Sequence, residues 1–373
     1  MTHRKTKDDL LRLFDKNVHM LIRAEDPLNA EPPPDALRSS FITPVEDFFT
    51  RNHAPVPHVD PALYRLRVDG LVRQPLQLSL DDLRRRFPSR SVVATLQCAG
   101  NRRHELMAIK RIDGEVPWQT CAVGTAEWRG VALCDLLAAA GVSSDARHVA
   151  FLGLDTVRKG EREFGFGGSV PLEKAMSPEV LLAFEMNGAP LRPIHGFPLR
   201  VVVPGYIGAR SVKWLAQITV QTEPSDNYFQ ARAYKLFSPG VTADTADWTQ
   251  GLMLGELSVN AVICAPREAE SVPAGTVLLT GYALTGGGRT IERVEISLDG
   301  GDSWTVADLS AEGNRWTWRF WQVSLHLPPG AYCACVRAWE SAANTQPEKT
   351  KHVWNFKGYM NNAWHRVRFN VIG

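Results

Sequence analysis

Short runs of alternating apolar and polar residues fill the last third of the chain. They fall at residues 259–264, 277–284, 291–298, 316–323, 332–339 and 351–356, with turn-forming residues between them. A period of two sends successive side chains to opposite faces, the pattern of a half-buried strand. The tetrad Asp299-Gly300-Gly301-Asp302 between two runs predicts a hairpin. Six or seven such strands in about 120 residues predict an antiparallel sandwich of immunoglobulin-like shape. The Cys…Trp…Cys spacing of antibody domains is not evident. Upstream the pattern is mixed. Residues 131–140 are apolar and helix-prone, with Gly141 as the stop. Residues 199–203 read as a buried strand ended by Pro204-Gly205, and residues 8–16 as a short amphipathic helix. Prolines at 32–34 suggest an arm laid over a surface. The glycine clusters 165–168 and 286–288 read as turns, because neither opens a helix after a strand. The expected architecture is α+β. An N-terminal arm (1–40) precedes a mixed α/β domain (41–247), and an all-β immunoglobulin-like sandwich (248–373) follows.

Three segments carry chemistry. A β-prone run, residues 92–96, leads into Cys98-Ala99-Gly100-Asn101-Arg102-Arg103. A cysteine beside fixed cations is biased toward thiolate, which is a nucleophile and a soft metal ligand. A small buried side chain at a strand end is the alternative. The second segment, Phe48-Phe49-Thr50-Arg51-Asn52-His53, sets polar residues between apolar ones and prolines. It is either a site insert or a solvated loop. The third runs from His195 through Arg200, Gly205, Gly208, Arg210 and Ser211 to Lys213-Trp214. Glycines permit close backbone approach to a ligand, and the cationic and hydroxyl donors suit a phosphate. Taken alone, it is equally a generic anion loop or a strand pair with surface cations.

Composition narrows the class. A length of 373 residues allows two cores, and 44% apolar residues suit a globular chain. A net charge of +2 argues against a nucleic-acid partner bound through bulk charge. No run approaches the roughly 20 apolar residues of a membrane span. The residues from Met1 to Asp9 show no signal peptide, so a cytoplasmic location is expected. The six cysteines have neither zinc-knuckle nor disulfide-framework spacing, so reduced thiols are expected. Cys333 and Cys335 should share one strand face.

The run from Cys98 to Arg103 resembles the molybdenum-binding segment of the sulfite oxidase family, which includes the molybdenum domain of nitrate reductase. The resemblance extends over residues 28–367. It implies a molybdenum–molybdopterin cofactor with Cys98 as the protein's ligand to the metal. It assigns Arg51, Arg103 and Arg366 to an anionic substrate, Tyr234 to the reacting oxo group and Trp118 to the pocket wall. Phe49, Asn52, His53, Asp155, His195, Arg200, Gly208, Arg210, Ser211 and Lys213 fall on the cofactor side. Two departures are Ile194, where an aspartate is expected, and the large Tyr206. The resemblance implies oxidation of sulfite to sulfate by oxo transfer from Mo(VI), with electrons passing to oxygen or a c-type cytochrome. It also implies a homodimer formed by the sandwich. It resembles the haem-free plant form and stand-alone bacterial forms, so no haem and no flavin are expected. Two alternatives stand beside it. One is reduction of nitrate, another oxo-acid or a sulfoxide on the same scaffold. The other is a non-catalytic molybdopterin-binding protein.

Overall fold

The computed structural model describes residues 6–373. Residues 1–5 of the N-terminal arm, and with them the start of the signal-peptide reading, lie outside the described residues.

Two sheets build the first part of the chain. One has five strands in the order Gly167–Pro171, His148–Gly153, Leu215–Gln221, Leu66–Gly70 and Leu76–Leu78. Its Leu215–Gln221 and Leu66–Gly70 strands run parallel, so the sheet is mixed. The other sheet pairs Ala189–Pro190, Leu181–Met186, Val123–Ala132 and Ser89–Gln97, with Arg200–Val202 against Leu181–Met186. Helices Leu80–Arg86 and Leu133–Ala140 bury leucines in the core shared by these sheets. Ser79 and Asp82 form a reciprocal capping box at the first helix, and Gly141 at φ 70° ends the second.

The C-terminal part is a β-sandwich. One sheet orders Asn260–Ala265, Gly275–Leu284, Arg319–Leu327 and Asp308–Leu309. The other orders Ser271–Pro273, His365–Ile372, Gly330–Glu340, Ile291–Ser297 and Thr305–Val306. Inward-facing Leu279, Val294, Trp321 and Val336 fill the space between them. The 299–302 turn joins strands that pair antiparallel, Glu295 opposite Val306. Among the described residues, no helix is long and apolar enough to cross a membrane.

The structure differs from the sequence expectations in four places. Residues 351–356 are not a strand. The Asn355 side chain donates to the carbonyls of Val353 and Tyr359 and accepts from the Tyr359 N–H. These local bonds give the backbone an alternative to a ladder. The last strand is instead His365–Ile372. The strand expected from 316 begins at Arg319, because Trp316 and Trp318 exchange hydrogen bonds with Thr95 of the first domain. Gly167 and Gly168 lie in a strand, not a turn. A Cβ at Gly167 would stand 2.8 Å from the Phe151 carbonyl, so close approach explains the glycine. Finally, the arm is not merely laid on the surface. Leu11, Met20, Leu28 and Ala30 bury against Ile194. Buried Glu31 accepts from the N–H groups of Gln119 and Cys121.

Candidate cofactor cavity and active site

Strand Ser89–Gln97 delivers Cys98 to the edge of a cavity. The chain then turns sharply, with Asn101 N–H on the Cys98 carbonyl and Arg102 at φ 66°. The Gly100 N–H points at Cys98 Sγ, 3.4 Å away. A Cβ at Gly100 would meet the Arg103 guanidinium at 2.4 Å, so that buried side chain would have to shift. Burial pushes the Cys98 thiol up, although Arg103 and Arg51 pull the other way. The arginines alone therefore do not make the thiolate, contrary to the reading from sequence. A bound cation would.

The polar residues after Cys98 face the sandwich. Asn101 Nδ2 donates to the Tyr282 hydroxyl at 3.1 Å. Arg102, fully buried, donates to Asn260 Oδ1 and the Ala363 carbonyl, both at 2.8 Å, and pairs with Glu105. Arg103 donates to the carbonyls of Gly358 (3.0 Å) and Val116 (2.7 Å) and lies 3.5 Å from Glu115, which also pairs with Lys357. Three successive side chains thus fasten the cysteine loop to the second domain.

Across the cavity stand the donors of the third segment. Arg200 bridges the carbonyls of His195 (2.9 Å) and Ser211 (3.1 Å). Lys213 donates to the Ile194 carbonyl at 2.9 Å and to Asn52 Oδ1. Ser211 Oγ accepts from the Val203 N–H at 3.0 Å. These groups are crowded and dry. Burial, then neighbouring cations, holds Lys213 and His195 well below their ordinary pKa values, and burial brings Arg200 down to about 9. Asp155 is the only carboxylate lining the cavity among the described residues. Burial raises its pKa, and it accepts from the Phe166 N–H at 2.9 Å. Excess buried donors with one acceptor form a site that an anion stabilises. Phe49, Leu96, Phe166 and Trp214 add apolar walls suited to an organic ring. Cys98 supplies one soft ligand beside them.

At the cysteine end, Arg51 and Tyr234 converge on one histidine. Arg51 Nη2 lies 2.9 Å from His53 Nε2, and the Tyr234 hydroxyl 3.2 Å from the same nitrogen. Arg51 is anchored by Asn29 Oδ1 at 3.2 Å and by the Asn52 carbonyl. Burial, then the Arg51 charge, keeps His53 neutral, so Nε2 can accept. Burial also raises the Tyr234 phenol, which stays protonated. Tyr359 stacks on Tyr234 with ring centroids 5.1 Å apart, and the Arg103 guanidinium lies 5.0 Å from the Tyr359 ring.

The cavity therefore gathers Phe49, Arg51, Asn52, His53, Cys98, Asp155, His195, Arg200, Gly208, Ser211, Lys213 and Tyr234. Four expected residues are elsewhere. Arg366 lies on strand His365–Ile372 of the sandwich and donates to the Glu348 carbonyl at 2.8 Å; strand alternation aims it away. Trp118 is fully buried beneath the cavity, in the cluster with Phe48 and Cys98. Arg103 sits behind the loop because main-chain carbonyls use its donors. Arg210 is buried below Tyr234, with Nε and Nη2 on the Leu254 carbonyl and Nη1 unpartnered. Thr50, Phe166 and Trp214 line the cavity without having been expected there. Thr50 and Trp214 stand inside segments singled out for chemistry, and Phe166 inside the glycine cluster that read as a turn.

Residues 53–229 match the oxidoreductase molybdopterin binding domain, and residues 252–372 match the Mo-co oxidoreductase dimerisation domain. The mitochondrial sulfite oxidase of Macaca fascicularis is 48% identical over 361 residues, which cover 94% of this chain. The chain spans only 65% of that relative's length. The sulfite oxidase of Arabidopsis thaliana is 41% identical over 373 residues, 94% of each chain. The sulfane dehydrogenase SoxCD of Paracoccus pantotrophus superposes with a TM-score of 0.78 at 26% identity, covering 93% of this chain and 87% of that one.

Proposed function

The chain belongs to the sulfite oxidase family, and from that premise we propose that it oxidises sulfite to sulfate with molybdopterin bound in the cavity and Cys98 as ligand to molybdenum. The observation that carries this reading is the convergence of Cys98, Arg51 and Tyr234 on one buried, cation-rich cavity. The residues present fit the cofactor. His195, Arg200, Ser211 and Lys213 would take its phosphate, and Asp155 would accept from ring nitrogens. When bound, molybdopterin supplies the oxo group that sulfite receives and takes up two electrons.

Arg51 supplies a fixed charge and a planar donor fork for the sulfite dianion. Its anchors on Asn29 and Asn52 hold that fork in place. Sulfite and water give sulfate, two protons and two electrons. Neutral His53 Nε2 accepts from the protonated Tyr234 hydroxyl and from Arg51, which orients both donors beside the substrate. Phe49 and Phe166 keep bulk water from the cavity wall. Arg51→Gln should lower kcat/KM for sulfite at least about tenfold, which corresponds to about 1.4 kcal/mol of transition-state binding. Steady-state kinetics with sulfite, and with nitrate under a reducing dye, test both the residue and the substrate. Unchanged kcat/KM for sulfite would remove Arg51 from the pocket, and faster nitrate reduction would overturn sulfite as substrate.

The electrons go to an external acceptor. Oxygen would leave as hydrogen peroxide after taking both electrons, whereas a c-type cytochrome would take one at a time. Oxygen uptake and cytochrome reduction, measured on the same preparation, separate the two.

The sandwich would join two chains, as the name of the matched dimerisation domain suggests. Leu278, Val306 and Ile372 are exposed on its strands. The protein should sediment at twice the 41.4 kDa of one chain at micromolar concentration. A stable monomer there would overturn the dimer.

A further inference from the structure

Lys16 lies just after helix Lys7–Leu13, which ends three residues short of the 8–16 expected, yet the residue is 4% exposed. Its Nζ stands 2.7 Å from each of three acceptors: the Val45 carbonyl, the Phe48 carbonyl and Nε2 of His195. Val45 and Phe48 flank the start of the segment that carries Arg51. His195 lines the cavity. One amine from the N-terminal arm thus ties two walls of the cavity together.

The arm is held so that the lysine cannot swing away. Asp15 has φ 54°, and its carbonyl accepts from Arg192 Nη1 at 2.5 Å. Leu11, Met20, Leu28 and Ala30 pack on Ile194, the residue before His195. Ile194 was the departure noted in the sequence, an apolar residue where an acid was expected. Its apolar side chain lets the arm dock, and docking places Lys16 on the imidazole.

The three contacts match the three N–H bonds of an ammonium, and two of the acceptors are carbonyls that cannot donate. Burial and then the Arg192 charge hold the Lys16 pKa well below its ordinary value, although Asp47, Glu46 and Asp15 pull the other way. An anion in the cavity adds to that pull. His195 Nε2 lies 2.7 Å from Lys16 Nζ and 3.3 Å from the Val45 carbonyl; a carbonyl only accepts, so with the closer lysine donating the longer contact is not a hydrogen bond, and among the described residues Nδ1 has no partner and can serve a ligand.

We propose that Lys16 is a positioning residue of the cofactor site: by donating to Nε2 of His195 it fixes the tautomer that presents Nδ1–H to the phosphate of molybdopterin. The inference rests on the cofactor reading above. An imidazole so fixed is a donor while uncharged, which suits a cavity already crowded with cations. Loss of the lysine frees the ring to turn or to change tautomer.

The test uses the holoenzyme. After dilution and gel filtration, bound molybdopterin is oxidised to its fluorescent form and counted per chain. Lys16→Met should lose it about tenfold faster, the scale on which partners of site ligands act. In a His195→Gln background, Lys16→Met should add nothing, since its effect runs through the histidine. Equal retention in Lys16→Met and the unmutated protein, or additive effects in the double variant, overturns the proposal. Ring-nitrogen NMR of the unmutated holoenzyme, with His195 assigned by His195→Gln, needs no folded Lys16 variant. It should show Nδ1 protonated and Nε2 bare, and the opposite tautomer overturns the proposal. Absence of any fluorescent pterin in the unmutated holoenzyme would sink the cofactor reading instead, so the two failures are distinct.

Discussion

Cys98→Ser should abolish sulfite oxidation while leaving the fold in place. Partners one shell out from a metal already change affinity or activity by 10–100-fold, so loss of the ligand itself should exceed about a hundredfold. Serine is nearly the same size, and its Oγ can accept the Gly100 N–H that now reaches Sγ at 3.4 Å. Nothing else in the loop depends on sulfur, because the turn is held by main-chain bonds and by the side chains at 101–103. Far-ultraviolet circular dichroism and Tm should therefore match the unmutated protein. Metal analysis and turnover should not. Retention of more than about a tenth of the activity would mean that Cys98 is not the ligand.

Arg102→Met should produce the largest loss of stability. The guanidinium is fully buried, and its removal leaves Glu105 and Asn260 Oδ1 without their donor, while the Ala363 carbonyl keeps Gln346 Nε2 at 3.2 Å. Breaking a buried pair from one side costs about 3–5 kcal/mol, enough to lower Tm by about 4–6 °C in a chain of this length. Adding Glu105→Gln should recover part of that loss, because the stranded charge goes. A fall in Tm below about 2 °C would show that water replaces the pair. The same carboxylate sets an acid limit. Burial alone would raise the Glu105 pKa, but Arg102 outweighs it and brings it down to about 2, against an ordinary 4.5. A depressed carboxyl contributes its full stability above the unfolded value and loses it as pH falls through the folded one. The unmutated protein should therefore lose its advantage over Arg102→Met/Glu105→Gln between about pH 4.5 and pH 2, seen as converging melting curves.

Much of the cavity was legible because its groups lie in short segments that combine donors with glycine or proline. Residues 51–53, 98 and 195–213 could be found that way, and the sandwich could be found from its period of two. What stayed hidden depends on partners far along the chain. Arg102 and Arg103 look alike as adjacent cations, and neither shows that backbone carbonyls at 363 and 358 consume its donors. Lys16 looks like any solvated lysine until the arm is seen to dock on Ile194. Arg366 was misplaced with the final strand. The apolar run at 351–356 suggested a ladder, and the local bonds of Asn355 diverted it, leaving 365–372 to alternate instead.

The fastening of the cysteine loop to the sandwich also orders events in time. Asn101 and Tyr282 are 181 residues apart in sequence, Arg102 is 158 from Asn260 and 261 from Ala363, and Arg103 is 255 from Gly358. A chain made from its N-terminus exposes the loop long before these neighbours exist, and contacts this distant form slowly. The segment that would hold the metal is thus among the last to reach its native surroundings, although it is made in the first third of the chain. Maturation of the cavity has to wait until the chain has been made as far as Ala363.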